Sequence, residues 1–263
     1  MNKNVLITGA SSGIGEACAY EFASNKYNLI LVARNEEKLL RIKQKISSEF
    51  SVKVSVVALD LTEKDAALKL KETLDRQGIS VDILINNAGY GDFAPFLDSD
   101  WEKQRRMVEL NIEALMHTTY VFGNDMKKKG FGRIVNISSL AAFFSGPYMA
   151  VYYASKAFVL SFSEAVAEEL KDSGVRVTAV CMGPTSTGFE KAANLDEHSN
   201  MFKKLKPALA EDVAKTVYKS CLKGKAVSCH GAVTKLACMA NGLLPRKLKL
   251  KITKNTNGKP KQA

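Results

Sequence analysis

The sequence predicts a doubly wound α/β sandwich, in which helices cover both faces of one parallel β-sheet. Two observations predict it. Six short runs rich in Val, Ile and Leu recur along the chain, and longer helical patterns separate them. Continuous apolar runs are typical of strands that are buried on both faces of a parallel sheet. At 263 residues the chain is long enough to bury one three-layer αβα core, so we expect a single domain over residues 1–250.

The elements follow one another in a regular order. The six expected strands are NVLIT, NLILVA, VSVVAL, VDILIN, GRIVNIS and VRVTAVC. Glycine and proline mark the joins, and we expect helices at about residues 13–25, 36–49, 63–78, 99–127, 150–172 and 210–223. Residues 183–210 show no clear pattern and lie where a lid over an active site is expected. Residues 251–263 are expected to form a basic, disordered tail.

Composition narrows the class of protein. Hydrophobic residues make up 46% of the chain and charged residues 25%, as in soluble globular proteins, and no run of 18 apolar residues offers a membrane span. The first strand begins without the segments of a secretory signal, so we expect a cytoplasmic protein. The cysteines form no C-x-x-C pair and predict neither a disulfide framework nor a metal site. They are Cys18, Cys181, Cys221, Cys229 and Cys238.

The formal charge of +11 is compatible with nucleic acid, an anionic membrane or acidic small molecules as partners. Much of this charge collects near the carboxyl terminus, and no nucleic-acid recognition motif accompanies it, so we expect no nucleic-acid partner. A solvated tail is the preferred interpretation. Peripheral membrane contact by residues 243–253 is the alternative, because Leu and Lys alternate there.

A glycine-rich loop, TGASSGIG at Thr8 to Gly15, joins the first strand to the first helix. Glycines at such a turn let a ligand approach the backbone, and the N–H groups at the start of the helix can hold a pyrophosphate. The spacing T-G-x-x-x-G-x-G differs from the generic G-x-G-x-x-G pattern of Rossmann-like folds. The candidate cofactor-binding residues of the loop are Gly9, Ser11, Ser12, Gly13, Ile14 and Gly15.

The residues at the ends of the second, third and fourth strands come next, and the second strand end favours the phosphorylated cofactor NADP(H) over NAD(H). Arg34 follows the second strand, where an NAD-preferring protein is expected to carry Asp or Glu. A guanidinium clamps a 2′-phosphate that a carboxylate would repel. A solvated charge at a strand end is the alternative for Arg34. Further candidates for the cofactor site follow the third and fourth strands, and they are Asp60, Leu61, Asn87, Ala88 and Gly89.

The stretch YYASK contains two tyrosines that a lysine can approach. Tyr152 is four residues before Lys156, and Tyr153 is three before it. Both spacings place the phenol and the ammonium on one side of a helix, so helix geometry does not choose between the two tyrosines. A lysine cation and a positively charged oxidised nicotinamide stabilise phenolate, which brings a tyrosine proton donor toward neutral pH.

The order and spacing of TGASSGIG, NNAG, VNISS and YYASK resemble the short-chain dehydrogenase/reductase family, from about Val5 to Ala226. The resemblance implies that Tyr152 is the proton donor, that Ser139 binds the carbonyl oxygen, that Lys156 also holds the nicotinamide ribose, and that Asn111 holds a water beside the lysine. It implies that a lid-start segment supports the nicotinamide carboxamide, with Met182 where relatives usually have proline, and that the chain is a homodimer or homotetramer. The segment comprises Gly183, Pro184, Thr185 and Thr187.

The expected activity is NADP(H)-dependent interconversion of a ketone and a secondary alcohol. Aromatic residues near the catalytic positions predict a hydrophobic substrate, and the chain resembles the branch with hydroxysteroid dehydrogenases and 3-oxoacyl reductases. A non-catalytic nucleotide-sensing protein and a reductase of small carbonyl or hydroxy-acid substrates are the alternatives. Expected substrate contacts are Phe93, Ser139, Phe144, Tyr148, Tyr152 and Phe189.

Overall fold

The computed structural model describes residues 2–195, 206–240 and 243–260. A seven-stranded, all-parallel sheet forms the middle layer, in the order β3-β2-β1-β4-β5-β6-β9. Its strands are β1 (Asn4–Thr8), β2 (Asn28–Ala33), β3 (Val54–Ala58), β4 (Ile83–Asn86), β5 (Gly132–Ile137), β6 (Val175–Cys181) and β9 (Val227–Cys229). A separate small pair joins β7 (Thr185–Ser186) to β8 (Ala208–Leu209). The fold class expected from the sequence is confirmed.

Helices cover both faces of the sheet. The helices of the described residues are α1 (Gly13–Ser24), α2 (Glu36–Glu49), α3 (Ala66–Arg76), α4 (Trp101–Val108), α5 (Leu115–Lys129), α6 (Ala150–Glu169), α7 (Phe189–Ala192), α8 (Ala210–Lys223), α9 (Ala232–Ala240) and α10 (Arg246–Asn257). One apolar core, containing Phe22, Leu39 and Val213, packs α1, α2 and α8 on the sheet. A second core, with Leu70 and Phe122, lies on the opposite face.

The strand order places the functional end of the molecule. Val5 of β1 pairs with Leu29 of β2 on one side and with Ile83 of β4 on the other, so the chain reverses direction across the sheet at β1. Ligands of open parallel sheets bind outside the carboxyl ends of the strands at such a switch point. The loops after β1 and β4 are therefore neighbours.

Several features differ from the sequence expectations, among them the short elements β7, α7 and β8 and the helix α9. The helix expected at about 99–127 is divided into α4, a π-helical turn over Glu109–Ala114, and α5. The short edge strand β9 was not expected. Residues 251–257, expected in a disordered tail, belong to α10, because Thr253 and Asn257 are buried against the body of the protein. Residues 196–205 of the expected lid and residues 261–263 of the expected tail lie outside the described residues.

None of the helices within the described ranges is long and apolar enough to cross a lipid bilayer.

Candidate active site

The glycine loop brings β1, β4 and α1 into close contact. Gly9 has a φ of +65°, and a Cβ there would lie 2.9 Å from the Cα of Ala88. At Gly15, a Cβ would lie 2.3 Å from the carbonyl oxygen of Gly9. Glycine alone allows this approach, because it has no side chain to clash with the facing backbone. The sequence pattern at this turn is therefore explained by packing as well as by ligand access.

The N-terminus of α1 opens into a cavity. Ser12 is the N-cap residue, and its side chain makes no capping hydrogen bond. The first N–H groups of a helix have no partner within the helix, so they and the helix dipole favour an anion at this position. The cavity has a volume of about 1280 Å³ and is bordered here by Gly9, Ser11, Ser12, Gly13 and Ile14.

A cluster of basic side chains follows along the cavity wall. Arg34, Lys38 and Arg106 border it, together with Asp60. Arg106 donates to Asp60 at 3.0 Å, and Arg34 lies 3.9 Å from the same carboxylate. Burial raises the pKa of Asp60, but hydrogen bonds from Thr62 and the charges of Arg34 and Arg106 hold it below its usual value. One carboxylate thus orients two cations that face the cavity.

The end of β4 is tied to the end of β1 by side-chain hydrogen bonds. The Thr8 hydroxyl accepts hydrogen bonds from the backbone N–H groups of Asn87 and Ala88, at 3.0 and 3.1 Å. The Asn87 amide donates to the carbonyl oxygens of Thr8 and Gly9. Asn87, Ala88 and Gly89 consequently border the cavity beside the glycine loop.

Asn111 lies in the π-helical turn and is 1% exposed. Its amide nitrogen donates to the carbonyl oxygen of Tyr90 and to the Ser155 hydroxyl, and its amide oxygen accepts from the N–H of Tyr90. The space beside Gly89 is bordered by Asn111 and by the Lys156 ammonium, since a Cβ there would lie 2.8 Å from the Asn111 oxygen and 3.6 Å from the Lys156 nitrogen. Asn111 thus positions the loop after β4 near the lysine, although it does not border the cavity itself.

The two tyrosines of α6 have different surroundings. Tyr152 is half-buried and borders the cavity, and Ser139 is near enough to influence the pKa of its phenol. The Tyr153 hydroxyl instead donates to the side chain of Asn257 at 2.8 Å. Ser139 also borders the cavity, and its oxygen accepts from the N–H of Ala141 at 3.1 Å. The geometry places the Tyr152 phenol, rather than that of Tyr153, beside the serine.

Lys156 is buried on the same wall. Its ammonium donates to the Ile137 carbonyl oxygen at 3.0 Å and lies 5.8 Å from the centroid of the Tyr152 ring. Burial lowers the pKa of Lys156 to about 8. Burial also raises the pKa of Tyr152 to about 12, and the neighbouring Ser139 hydroxyl opposes that rise. Before a ligand binds, the phenol is therefore neutral at physiological pH and can donate its proton.

The cavity continues from Tyr152 into an apolar region. Phe144, Met182 and Phe189 border it, as do Val233 of α9 and Ile252 of α10. Other expected residues form a layer behind this wall: Phe93 and Tyr148 pack edge to face at 6.2 Å in the cluster that includes Tyr152 and Phe189.

Most of the remaining residues that the sequence predicts for the cofactor site border the cavity, and one does not. Those that border the cavity are Leu61, Gly183, Pro184, Thr185 and Thr187. Gly15 does not border it and lies in α1, behind the loop. The sequence interpretation missed Lys38, Arg106 and the contributions of α9 and α10, because none of these follows a motif.

The residues present fit a nicotinamide dinucleotide. The uncapped helix N-terminus and the cationic cluster suit its phosphates, and the cavity runs from them to Tyr152 and Lys156. When bound, such a cofactor supplies or accepts a hydride. A nucleotide-sized cavity at the switch point of a parallel sheet, with a phenol and an ammonium on its wall, defines the class of protein as a dinucleotide-dependent oxidoreductase.

Comparison with known proteins then gives the family. Residues 3–198 match the family model described as short chain dehydrogenase. The chain belongs to this family of oxidoreductases, which act on CH–OH groups.

Three similar proteins illustrate the range of relatives that this chain resembles. A serine 3-dehydrogenase of Agrobacterium fabrum is 33% identical over 225 residues, which cover 83% of this chain and 87% of that protein. The 17-beta-hydroxysteroid dehydrogenase type 3 of Mus musculus is 35% identical over 197 residues, covering 74% of this chain and 64% of that protein. A short-chain dehydrogenase from Sphingobium yanoikuyae, solved in complex with NADPH, is 31% identical with a TM-score of 0.80 and coverage of 92% and 94%.

Proposed function

We propose that the protein interconverts a ketone and a secondary alcohol on a hydrophobic substrate of the hydroxysteroid or 3-oxoacyl type, with NADP(H) as cofactor. One observation carries the substrate class: the cavity beyond Tyr152 is bordered by apolar and aromatic side chains from the body of the protein and from α9 and α10. Such a surface favours a bulky apolar group. It would leave the polar groups of a small substrate without hydrogen-bond partners. The similarity to a hydroxysteroid dehydrogenase supports this class.

Each catalytic side chain has a role that follows from its place. In the reduction direction, Tyr152 donates its proton to the carbonyl oxygen, and Ser139 donates a hydrogen bond to the same oxygen. Lys156 stabilises the resulting phenolate through its charge, because both groups lie on one desolvated wall where electrostatic interactions are strong. Asn111 holds the loop after β4 and so positions the residues next to Lys156.

Matched tyrosine variants test this chemistry. We expect Tyr152→Phe to lower kcat by about 10²–10⁴-fold, the usual contribution of a general acid, while NADPH still binds. Tyr153→Phe is the control, since its hydroxyl is bonded to Asn257, and its kcat should stay within about tenfold of wild type. NADPH oxidation with steroid ketones and a 3-oxoacyl thioester provides the readout. Equal losses in the two variants would contradict the assignment of Tyr152.

The preference for NADP(H) is proposed from the cationic cluster. Arg34 and Arg106 carry charge at the cavity wall, oriented by Asp60, and a 2′-phosphate would pair with them. We expect Arg34→Gln to weaken NADPH binding by about tenfold or more and to change NADH binding little. Arg41→Gln, an exposed arginine paired with Glu37 on α2, is the control. Equal effects on both cofactors would show that Arg34 does not bind the 2′-phosphate.

A small hydroxy acid is the second candidate substrate, favoured by the similarity to a serine 3-dehydrogenase. Oxidation of serine and related hydroxy acids with NADP⁺ discriminates the two candidates. A kcat/KM for serine above that for every steroid and acyl substrate would overturn the hydrophobic assignment.

A homodimer or homotetramer is part of the proposal. Helices α4 and α5 carry four exposed large side chains of mainly apolar character, which are Trp101, Val108, Met116 and Tyr120. Exposed apolar surfaces of this kind mark protein interfaces. Light scattering should report a multiple of 28.8 kDa, and a particle of 28.8 kDa alone would contradict it.

A further inference from the structure

Positive charge is concentrated in the last fifth of the chain. Asp212 is the last acidic residue, and twelve of the 38 Lys and Arg residues follow it. The 212 residues up to that point hold the other 26 basic residues and all 27 acidic ones, so they are nearly neutral. The excess of +11 therefore belongs to the residues after Asp212, which comprise most of α8, then β9, α9, α10, the segments between them and the residues that follow α10.

In helices α9 and α10 polar side chains are buried and large apolar side chains are exposed, the reverse of an ordinary surface helix. In α10 the buried residues are Thr253 and Asn257, and in α9 the buried residue is Thr234. The large apolar side chains are exposed instead, two of them (Val233 and Ile252) beside the cavity, and the lysines lie among them. A helix on the surface of a water-soluble domain normally buries its apolar face and exposes its polar one. The reversed arrangement indicates that the outer face meets something other than water.

The exposed apolar side chains lie close together in sequence along these helices and the turn between them. Their exposed fractions are high: 55% for Val233, 67% for Leu236, 80% for Met239, 84% for Leu243, and 44% each for Leu248, Leu250 and Ile252. Exposed basic residues flank them and are Lys235, Arg246, Lys247, Lys251 and Lys254. Apolar side chains set among lysines and arginines, with no acidic residue, form the pattern of helices that lie in the interface of an anionic membrane.

The face is fixed relative to the active site. The Asn257 side chain accepts from the Tyr153 hydroxyl and donates to the carbonyl oxygen of Pro147 at 2.8 Å, which anchors the end of α10. Val233 and Ile252 are exposed and also border the cavity. The apolar outer face is thus continuous with the cavity mouth.

We infer that the outer face of α9 and α10 docks on the surface of an anionic phospholipid membrane, with the cavity mouth turned toward the lipid. Nucleic acid fits the charge but not the exposed leucines and methionine, and an acidic protein surface would leave much of that aliphatic area without a matching apolar partner. A lipid interface accepts both, because acyl chains take the aliphatic side chains and headgroups take the lysines. Docking does not depend on turnover, so its test is separate from that of the proposed function.

Vesicle co-sedimentation tests the inference with the full-length protein. We expect binding to vesicles of phosphatidylcholine with phosphatidylserine, and much weaker binding to phosphatidylcholine alone. The apolar variant Leu236→Ser with Met239→Ser should lower partitioning by about tenfold or more, since two side chains no longer enter the lipid. Its matched control is Leu40→Ser with Leu68→Ser, two exposed leucines on α2 and α3, which should bind as wild type does.

A second pair of variants isolates the charge. Lys247→Gln with Lys254→Gln should weaken binding to the anionic vesicles by about fivefold per lysine. Lys43→Gln with Lys45→Gln, exposed lysines on α2, is the control. Circular dichroism and the oligomeric state of each variant are measured alongside, and neither should change.

Three results would overturn docking. The first is no sedimentation of the wild type with either vesicle. The second is equal binding by the apolar variant and its control, which would leave only non-specific charge adsorption. The third is loss of an oligomer in the apolar variant, which would assign this face to contacts between copies of the chain.

Discussion

Replacing Lys156 by methionine should make the cofactor-free protein more stable at neutral pH while it removes activity. The lysine is 7% exposed, and burial lowers its pKa from 10.5 to about 8. Each pKa unit corresponds to about 1.4 kcal/mol, so burying the charged ammonium costs on the order of 3 kcal/mol of the free energy of unfolding. The variant also loses the hydrogen bond to the Ile137 carbonyl oxygen, worth about 1 kcal/mol. A net gain of about 2 kcal/mol remains, or about 4–8 °C in Tm.

The stability difference between Lys156→Met and the wild type should depend on pH, and the lowered pKa of Lys156 sets the direction of that dependence. Between pH 8 and 10.5 the unfolded chain holds a proton on Lys156 that the folded chain has released, so stability attributable to this group rises with pH. The penalty is fully present below pH 8 and absent above pH 10.5. The advantage of the variant should therefore disappear over this range, and the wild type should become the more stable protein by about 1 kcal/mol.

Urea unfolding at a series of pH values measures the difference between wild type and Lys156→Met. Lys43→Met, on the exposed surface of α2, is the control and should show a flat difference. A difference for Lys156→Met that stays constant from pH 8 to 10.5, or a variant less stable at neutral pH, would show that the ammonium is not desolvated in the folded state.

Three further predictions follow from the contacts around the cavity. Asn257→Ala leaves the buried Tyr153 hydroxyl unpaired, so it should lower the free energy of unfolding in urea by about 1–3 kcal/mol. It should also raise KM for bulky ketones with kcat unchanged, and a fall in kcat alone would contradict this role. Gly15→Ala places a Cβ 2.3 Å from a backbone oxygen of the loop, and fluorescence titration should show NADPH binding weakened by about tenfold or more with the fold retained; unaltered affinity would refute the close packing. Asp92→Asn weakens a buried carboxylate that accepts from a lysine, a glutamine and an asparagine, and should lower the free energy of unfolding by about 3 kcal/mol, whereas the exposed Asp98→Asn should not.

Local patterns predicted the elements that form the nucleotide end. Six of the seven strands of the main sheet, the glycine loop and the helix with Tyr152 and Lys156 follow from runs of apolar residues and from short motifs. Each of these signals depends on residues close in sequence, so a single chain is enough to find them. The three-residue strand β9 is too short for such a signal.

The parts that escaped prediction depend on distant contacts. The hydrogen bonds of Asn111 reach Tyr90, 21 residues away, and they accompany a π-helical turn that no helical periodicity predicts. Helix α10 buries threonine and asparagine, so its sequence resembles a solvated tail until the partner of Asn257 is known. Arg106 reaches Asp60 across 46 positions and was missed for the same reason.

The hydrogen bond between Tyr153 and Asn257 joins residues 104 positions apart, and this separation sets the order in which the protein is completed during synthesis. The strands and loops that border the nucleotide end precede residue 190, and α8, which completes the core on α1, ends at Lys223, so this part can fold before α9 and α10 emerge. The part of the cavity wall that covers the apolar region is completed last, because α9 and α10 form it. A ribosome-bound chain therefore passes through a stage in which the dinucleotide site is built and the apolar region still lies open to solvent and chaperones.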